Sequence, residues 1–103
     1  MLDRALYTLL TLLVLALVPH TVRADAHKGA QLARQWCASC HVIGGNPAAA
    51  VPQGPPSFPA IARSGMTADQ LRTFLSHPHG AMPDLALTRA EIDDLIGYIE
   101  TLR

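Results

Sequence analysis

The chain has 103 residues, and its eight Lys and Arg balance its eight Asp and Glu, so the formal net charge is zero at neutral pH. This balance argues against nucleic acid or an anionic membrane surface as a partner, because neither would meet a basic patch. The length fits a single domain.

The first 24 residues have the plan of a secretory signal peptide. Ala5 to Val18 is a run of fourteen uncharged residues, and Val22-Arg23-Ala24 resembles a small-x-Ala cleavage site. The run is shorter than the roughly 20 apolar residues of a membrane-spanning helix, which favours export over a retained anchor. We therefore expect residues 1–24 to be removed and residues 25–103 to act in the periplasm, with membrane contact only during export.

The expected mature chain has 79 residues, with six basic and seven acidic side chains and a net charge of −1. A chain of this size buries a modest share of its surface and often needs a covalent or metal staple. Its two cysteines, Cys37 and Cys40, are too close in sequence to close a useful disulfide loop. A covalently held apolar group would supply the missing core.

Both cysteines belong to the segment Cys37-Ala38-Ser39-Cys40-His41. C-x-x-C-H is the attachment signature of c-type haem, in which the thiols form two thioether bonds and the histidine binds iron. On a helix, residues three apart lie on neighbouring parts of one face, and His41 is turned about 100° from Cys40. We predict one covalent haem c with His41 as an axial iron ligand.

The first predicted helix spans about residues 26–39. Gly29 within it costs about 1 kcal/mol relative to Ala, which indicates the close approach of another helix. Trp36 follows Leu32 by four residues, so we expect Trp36, together with Tyr98, to be a core aromatic at that crossing.

Residues 42–65 are predicted to form a long irregular loop, because five prolines make a continuous helix implausible there. Long loops in small domains are usually functional or disordered. Wrapping a haem edge would order this one, with Val51, Phe58 and Ile61 as apolar anchors. A flexible linker is the alternative.

Two further helices are predicted from capping boxes, and no strand pattern is present. Thr67 and Gln70 begin the first, which ends near Ser76 before a proline. Thr88 and Glu91 begin the second, whose apolar side chains recur at helical spacing to the end of the chain.

Met82, in the turn between these helices, is the candidate sixth iron ligand. A thioether is a soft, neutral donor that favours reduced iron, and Met/His ligation is known from cytochromes c. Met66 directly precedes the Thr67 cap and is better explained as a hydrophobic staple.

The order of these motifs resembles that of a small class I cytochrome c, a monohaem carrier of the bacterial periplasm. The likeness covers residues 26 to 103. It comprises the first helix with Gly29 and Trp36, the CASCH segment, Gly54-Pro55, Met82-Pro83 and the closing helix.

The resemblance implies an all-α domain of three or more short helices wrapped around one covalent haem. It also implies that the N- and C-terminal helices cross, with Gly29 opposite the Gly97-Tyr98 region. A proline carbonyl of the family accepts a hydrogen bond from the proximal histidine. Pro55 matches it by its place after Gly54, with Pro56 as the alternative.

The expected function is single-electron transfer between redox partner proteins, as a free shuttle or as the haem subunit of a dehydrogenase, and not enzyme catalysis. The interface with a partner would be small and transient. The near-neutral charge predicts that the electron-transfer rate depends only modestly on ionic strength.

Two other classes remain open. One is a haem enzyme or gas-binding protein with a labile or open sixth position, in which Met82 is absent from iron or easily displaced and His77 or His79 is a distal acid or base. The same two histidines are also alternative sixth ligands to Met82. A thiol-disulfide protein would need a strand before the CxxC segment, and none is predicted.

Overall fold

The structure is a computed structural model, and it describes residues 2–17, 23–44, 54–77 and 80–103. Those ranges contain helices and no β-strand, which confirms the all-α prediction. The helices are α1 (Leu2–Ala16), α2 (Ala26–Leu32), α3 (Phe58–Arg63), α4 (Ala68–Leu75) and α5 (Arg89–Glu100).

Helix α1 lies within the predicted leader and contributes no buried residue. Among the described residues, none of the helices is long and apolar enough to cross a membrane. Val22 of the predicted cleavage pattern lies outside the described ranges, and the removal of residues 1–24 stays a prediction.

Helix α5 lies at the centre of the domain, and α2, α3 and α4 all pack against it. Its Leu95 side chain is fully buried, which places the middle of α5 inside the apolar core. The buried hydrophobic residues of the core are Ala33, Cys37, Phe58, Ala62, Leu71, Ile92, Leu95, Ile96 and Ile99.

Both predicted capping boxes are present. The Thr67 side chain accepts a hydrogen bond from Gln70 N at the start of α4, and the Gln70 side chain accepts one from Thr67 N. Thr88 and Glu91 make the same pair at the start of α5. Each box satisfies two amide donors that a helix start otherwise leaves unpaired.

An arginine ties α4 to α5. Arg72 Nε donates to Asp93 Oδ1 at 3.0 Å, and Arg72 Nη1 donates to Asp69 on its own helix at 2.6 Å. The hydrogen bond to Asp93 raises the pKa of the Arg72 guanidinium, which is charged in proteins in any case.

Helix α3 corrects the prediction of an irregular loop over residues 42–65. Ser57 caps the helix, because its Oγ accepts a hydrogen bond from Ala60 N at 3.2 Å. Pro59 occupies the first turn, where the missing amide hydrogen is tolerated and the fixed φ favours the helix. The high proline content of residues 42–65 is therefore compatible with a short helix. Phe58 is buried and Ile61 half-buried, as expected of anchors, whereas Val51 lies outside the described residues.

Trp36 does not lie in the core: 52% of its surface is exposed. After Leu32 the helix continues as a wider π-type turn over Ala33–Cys37, closed by a hydrogen bond from Ala38 N to Ala33 O at 3.0 Å. Ala33 and Cys37 take the buried positions of this turn, so the adjacent Trp36 points outward.

The predicted crossing of the first and last helices is present at Gly29. A methyl group on Gly29 would lie 2.6 Å from the Asp94 carbonyl carbon and 2.9 Å from Tyr98 Cβ. Tyr98 is opposite Gly29 as expected, whereas Gly97 faces Ala24 instead, with 3.3 Å between a methyl group built on Gly97 and the Ala24 Cβ. Only a residue without a side chain allows the contact at Gly29.

We predict that Gly29→Ala lowers the free energy of unfolding by about 1–3 kcal/mol, because the added methyl group must push the two helices apart. The measurement is chemical denaturation of the haem-loaded protein. Gly44→Ala is the matched control, since a Cβ there meets no atom within 4 Å and a neutral result is expected. Equal stability of the two variants would contradict the crossing.

Candidate haem site

The CxxCH segment forms the turn that ends the π-type winding. Cys40 N and His41 N both donate to Cys37 O, at 3.1 and 2.9 Å. These bonds gather the two sulfur-bearing residues and the imidazole within one turn, because both amides converge on the same carbonyl. The predicted co-location of Cys37, Cys40 and His41 is therefore present in the fold.

The two thiols differ in their surroundings and are not joined in a disulfide. Cys37 is buried in the core, and this burial raises the pKa of its thiol. Cys40 is exposed, as are its neighbours Ala38 and Ser39. One thiol thus faces the core and the other faces solvent, an arrangement that suits a group held half inside the domain.

A backbone carbonyl orients the His41 ring. His41 Nδ1 donates to Pro56 O at 2.7 Å, so Nδ1 carries the proton and the Nε2 lone pair is left to bind a metal. The prediction of Pro55 is therefore wrong by one residue, and the acceptor is its alternative, Pro56. Phe58 N donates to Val42 O at 2.9 Å, and this bond sets the register that places Pro56 opposite His41.

An aromatic chain supports the same side of the site. The His41 and Phe58 ring centroids are 5.5 Å apart, and those of Phe58 and Tyr98 are 6.3 Å apart, both pairs being tilted. Tilted arrangements at these separations are the favourable ones for aromatic pairs. The imidazole is therefore held by packing as well as by a hydrogen bond.

Tyr98 also fixes the chain just after the histidine. Its hydroxyl donates to Ile43 O at 2.7 Å, a bond between residues 55 positions apart. The interpretation of Tyr98 as a core aromatic missed this contact. No local pattern points to it, because the acceptor is a backbone carbonyl brought close only by the crossing of α2 and α5.

Met82 lies half-buried in the turn between α4 and α5. It lines a small cavity with Leu75, His77, Pro83, Asp84, Leu85 and Leu87. His77 Nδ1 donates to Thr73 O at 2.9 Å, which orients this imidazole toward its own helix end. His79 lies outside the described residues. Met82 as the sixth ligand stays a prediction, and so does the competition from these histidines.

The residues present fit a covalent haem. Two free thiols stand three residues apart, beside an imidazole whose protonated nitrogen is already satisfied by a carbonyl. Metal-ligating histidines almost always donate a hydrogen bond of this kind from their other ring nitrogen. The bond fixes the orientation of the ring and raises its basicity. A CxxCH turn of this kind in a small all-α domain defines a c-type cytochrome.

Comparisons with known proteins agree. Residues 24–99 match the family described as cytochrome C oxidase, cbb3-type, subunit III. A cytochrome c-552 of Bradyrhizobium diazoefficiens is 44% identical over 81 residues, which are 78% of this chain and 77% of that protein. No solved structure matches the chain.

The chain belongs to the cytochrome c family, as a small class I cytochrome c. It is an electron-transfer haem protein with one covalently bound haem c, and its partners are redox partners.

We predict that Tyr98→Phe destabilises the haem-loaded protein by about 1 kcal/mol, because Ile43 O loses its donor in a partly buried place. Haem should remain attached, since the ring still packs on Phe58. Denaturant unfolding measures the first result and a haem-stained gel the second. An unchanged unfolding midpoint would show that the bond contributes nothing.

Replacing both Cys37 and Cys40 by Ala should leave a polypeptide that loses its haem on a denaturing, reducing gel, because thioether bonds alone survive those conditions. Ser39→Ala, an exposed position between the two cysteines, is the control and should keep the stain. Staining of the double variant would rule out attachment at this segment.

Proposed function

We propose that the chain is exported, loses residues 1–24 and works in the periplasm as a carrier of single electrons between redox partner proteins. His41 and Met82 are its axial iron ligands. The observation that carries this proposal is the hydrogen bond from His41 Nδ1 to Pro56 O, which prepares the imidazole for iron beside two free thiols.

The protein's part in this function is to hold the ligands still. A bound haem c supplies a one-electron couple between Fe(III) and Fe(II). The Pro56 carbonyl makes His41 a stronger donor, and the Met82 thioether, soft and uncharged, favours the reduced state. His41 and Met82 would hold the iron together, and the haem would then supply electron transfer with no position left for a substrate.

The runner-up is a haem enzyme or gas-binding protein in which the sixth position is open or labile. His77 supports this reading, since it lines the same cavity as Met82. A five-coordinate ferric spectrum of the exported protein would favour it over the carrier.

A subunit of a larger redox complex is the alternative to a free shuttle. The sequence is compatible with the haem subunit of a dehydrogenase, and the description of the matching family names an oxidase subunit. Size-exclusion chromatography of the native protein, extracted without denaturation, distinguishes the two. A free shuttle elutes at the size of the monomer, whereas a subunit elutes with its complex.

Met82→Leu tests the axial assignment. We expect the methionine-to-iron charge-transfer band to vanish and the midpoint potential to fall, on the order of 100 mV, within the roughly 0.8 V range that axial ligation covers. The measurement is an optical redox titration of the exported protein.

Met66→Leu is the matched control, because Met66 is also half-buried but packs against the core near α4. It should keep both the band and the potential. A Met82→Leu protein with the wild-type spectrum and midpoint would refute methionine ligation and leave His41 as the only assigned ligand.

A further inference from the structure

A half-buried carboxylate on α5 accepts a hydrogen bond from the place where the mature chain is expected to begin. Asp94 Oδ1 lies 2.7 Å from the backbone nitrogen of Asp25. Among the residues that the structure describes, Asp94 pairs with no Lys, Arg or His side chain, whereas its neighbour Asp93 pairs with Arg72 at 3.0 Å. A carboxylate that is partly removed from water gains from a cation at this position.

The position of the Asp25 nitrogen is set by residues that follow it. The Asp25 carboxylate accepts hydrogen bonds from His27 N and Lys28 N, at 3.0 and 3.1 Å. Gly29 N donates to Asp25 O at 2.9 Å. These three bonds do not involve the leader, so we expect the nitrogen to stay next to Asp94 after cleavage.

We propose that hydrolysis of the Ala24–Asp25 peptide bond creates an ion pair between the new α-ammonium group of Asp25 and the Asp94 carboxylate. This inference rests on the export and cleavage proposed above. Water adds across the amide, Ala24 leaves with a carboxylate, and Asp25 keeps an amine that takes up a proton. A neutral backbone donor thereby becomes a charged one.

The pair lies at the crossing of α2 and α5. Gly29 contacts the Asp94 backbone there, and α2 leads through the π-type turn to Cys37. Removal of the leader therefore strengthens the contact that positions the CxxCH segment. The bond before cleavage already has a charged acceptor, and cleavage adds the attraction between two opposite charges.

Other charged or titratable groups belong to the two elements that meet at this nitrogen. They are the Asp25 carboxylate, His27 and Lys28 at the start of α2, and Asp93 and Tyr98 on α5. Arg72 already holds Asp93, and the Asp25 carboxylate already caps α2. Replacement of Asp94 should therefore change the pKa of the α-amino group more than replacement of any of these other groups.

The first test is the pKa of the α-amino group in the exported, haem-loaded protein. Lys28 is the only lysine of the chain, so Lys28→Arg leaves a single amine to label by reductive methylation with ¹³C-formaldehyde. An ordinary α-amino group has a pKa of about 7.7–8.0. We expect a value about one unit higher, a tenfold gain in proton affinity.

Asp94→Asn in the same background should lower this pKa by about one unit, since Asn keeps a hydrogen-bond acceptor but has no charge. Glu100→Gln, at the exposed end of the same helix, is the control and should leave the pKa unchanged. An Asp94→Asn titration that overlays the parent curve would overturn the proposal.

The second test is acetylation of the same amine. An acetylated nitrogen keeps one N–H for Asp94 but loses its charge, so the comparison isolates the ion pair. Acetylation should raise the unfolding equilibrium constant about fivefold when Asp94 is present, and have no effect in the Asp94→Asn variant. Equal effects in both proteins would overturn the inference.

Mass spectrometry of the exported protein must show Asp25 at the N-terminus, and any other mature start overturns the inference as well. Neither Asp25 nor Asp94 belongs to the haem site. Haem staining and the midpoint potential therefore report on the proposed electron carrier separately from this ion pair.

Discussion

The close approach of α2 to α5 at Gly29 is the contact on which the site depends. The CxxCH turn is the direct continuation of α2, so the position of its thiols follows from where α2 lies on α5. Any side chain at residue 29 would meet the Asp94 backbone. The loss of helix propensity at a glycine, about 1 kcal/mol, is accepted because it permits this packing.

From that crossing, three long-range bonds secure the residues after the first cysteine. Pro56 O accepts from His41, Val42 O from Phe58 N, and Ile43 O from the Tyr98 hydroxyl. Consecutive residues are thus bonded to two different parts of the chain. An imidazole held in this way has little freedom to move, which suits the one-electron transfer of a haem protein.

Helix boundaries were the part of the fold most open to prediction. Thr67 and Thr88 each form a capping box with the residue three positions later. This signal is local, so it predicts the start of a helix without knowledge of the tertiary structure. The predicted loop over residues 42–65 omits helix α3, although Ser57 and Pro59 form a start signal of the same kind, because a proline breaks a helix only beyond its first turn. Helical spacing alone predicts that Trp36 lies in the core. The π-type turn, a change of helical winding that spacing cannot reveal, directs it to solvent.

The sequence by itself determined the class of cofactor and the all-α fold, and it predicted the residues that attach the cofactor, because thiol and imidazole chemistry at fixed spacing and helix caps are local properties. Tertiary structure decided which carbonyl orients His41, what Tyr98 donates to and which group meets the backbone nitrogen of Asp25. Each of these pairs residues that are far apart in the chain, and backbone carbonyls carry no residue-specific signal. The packing of the helices decides which carbonyl or carboxylate each group meets, and a prediction from sequence can miss the partner by one residue.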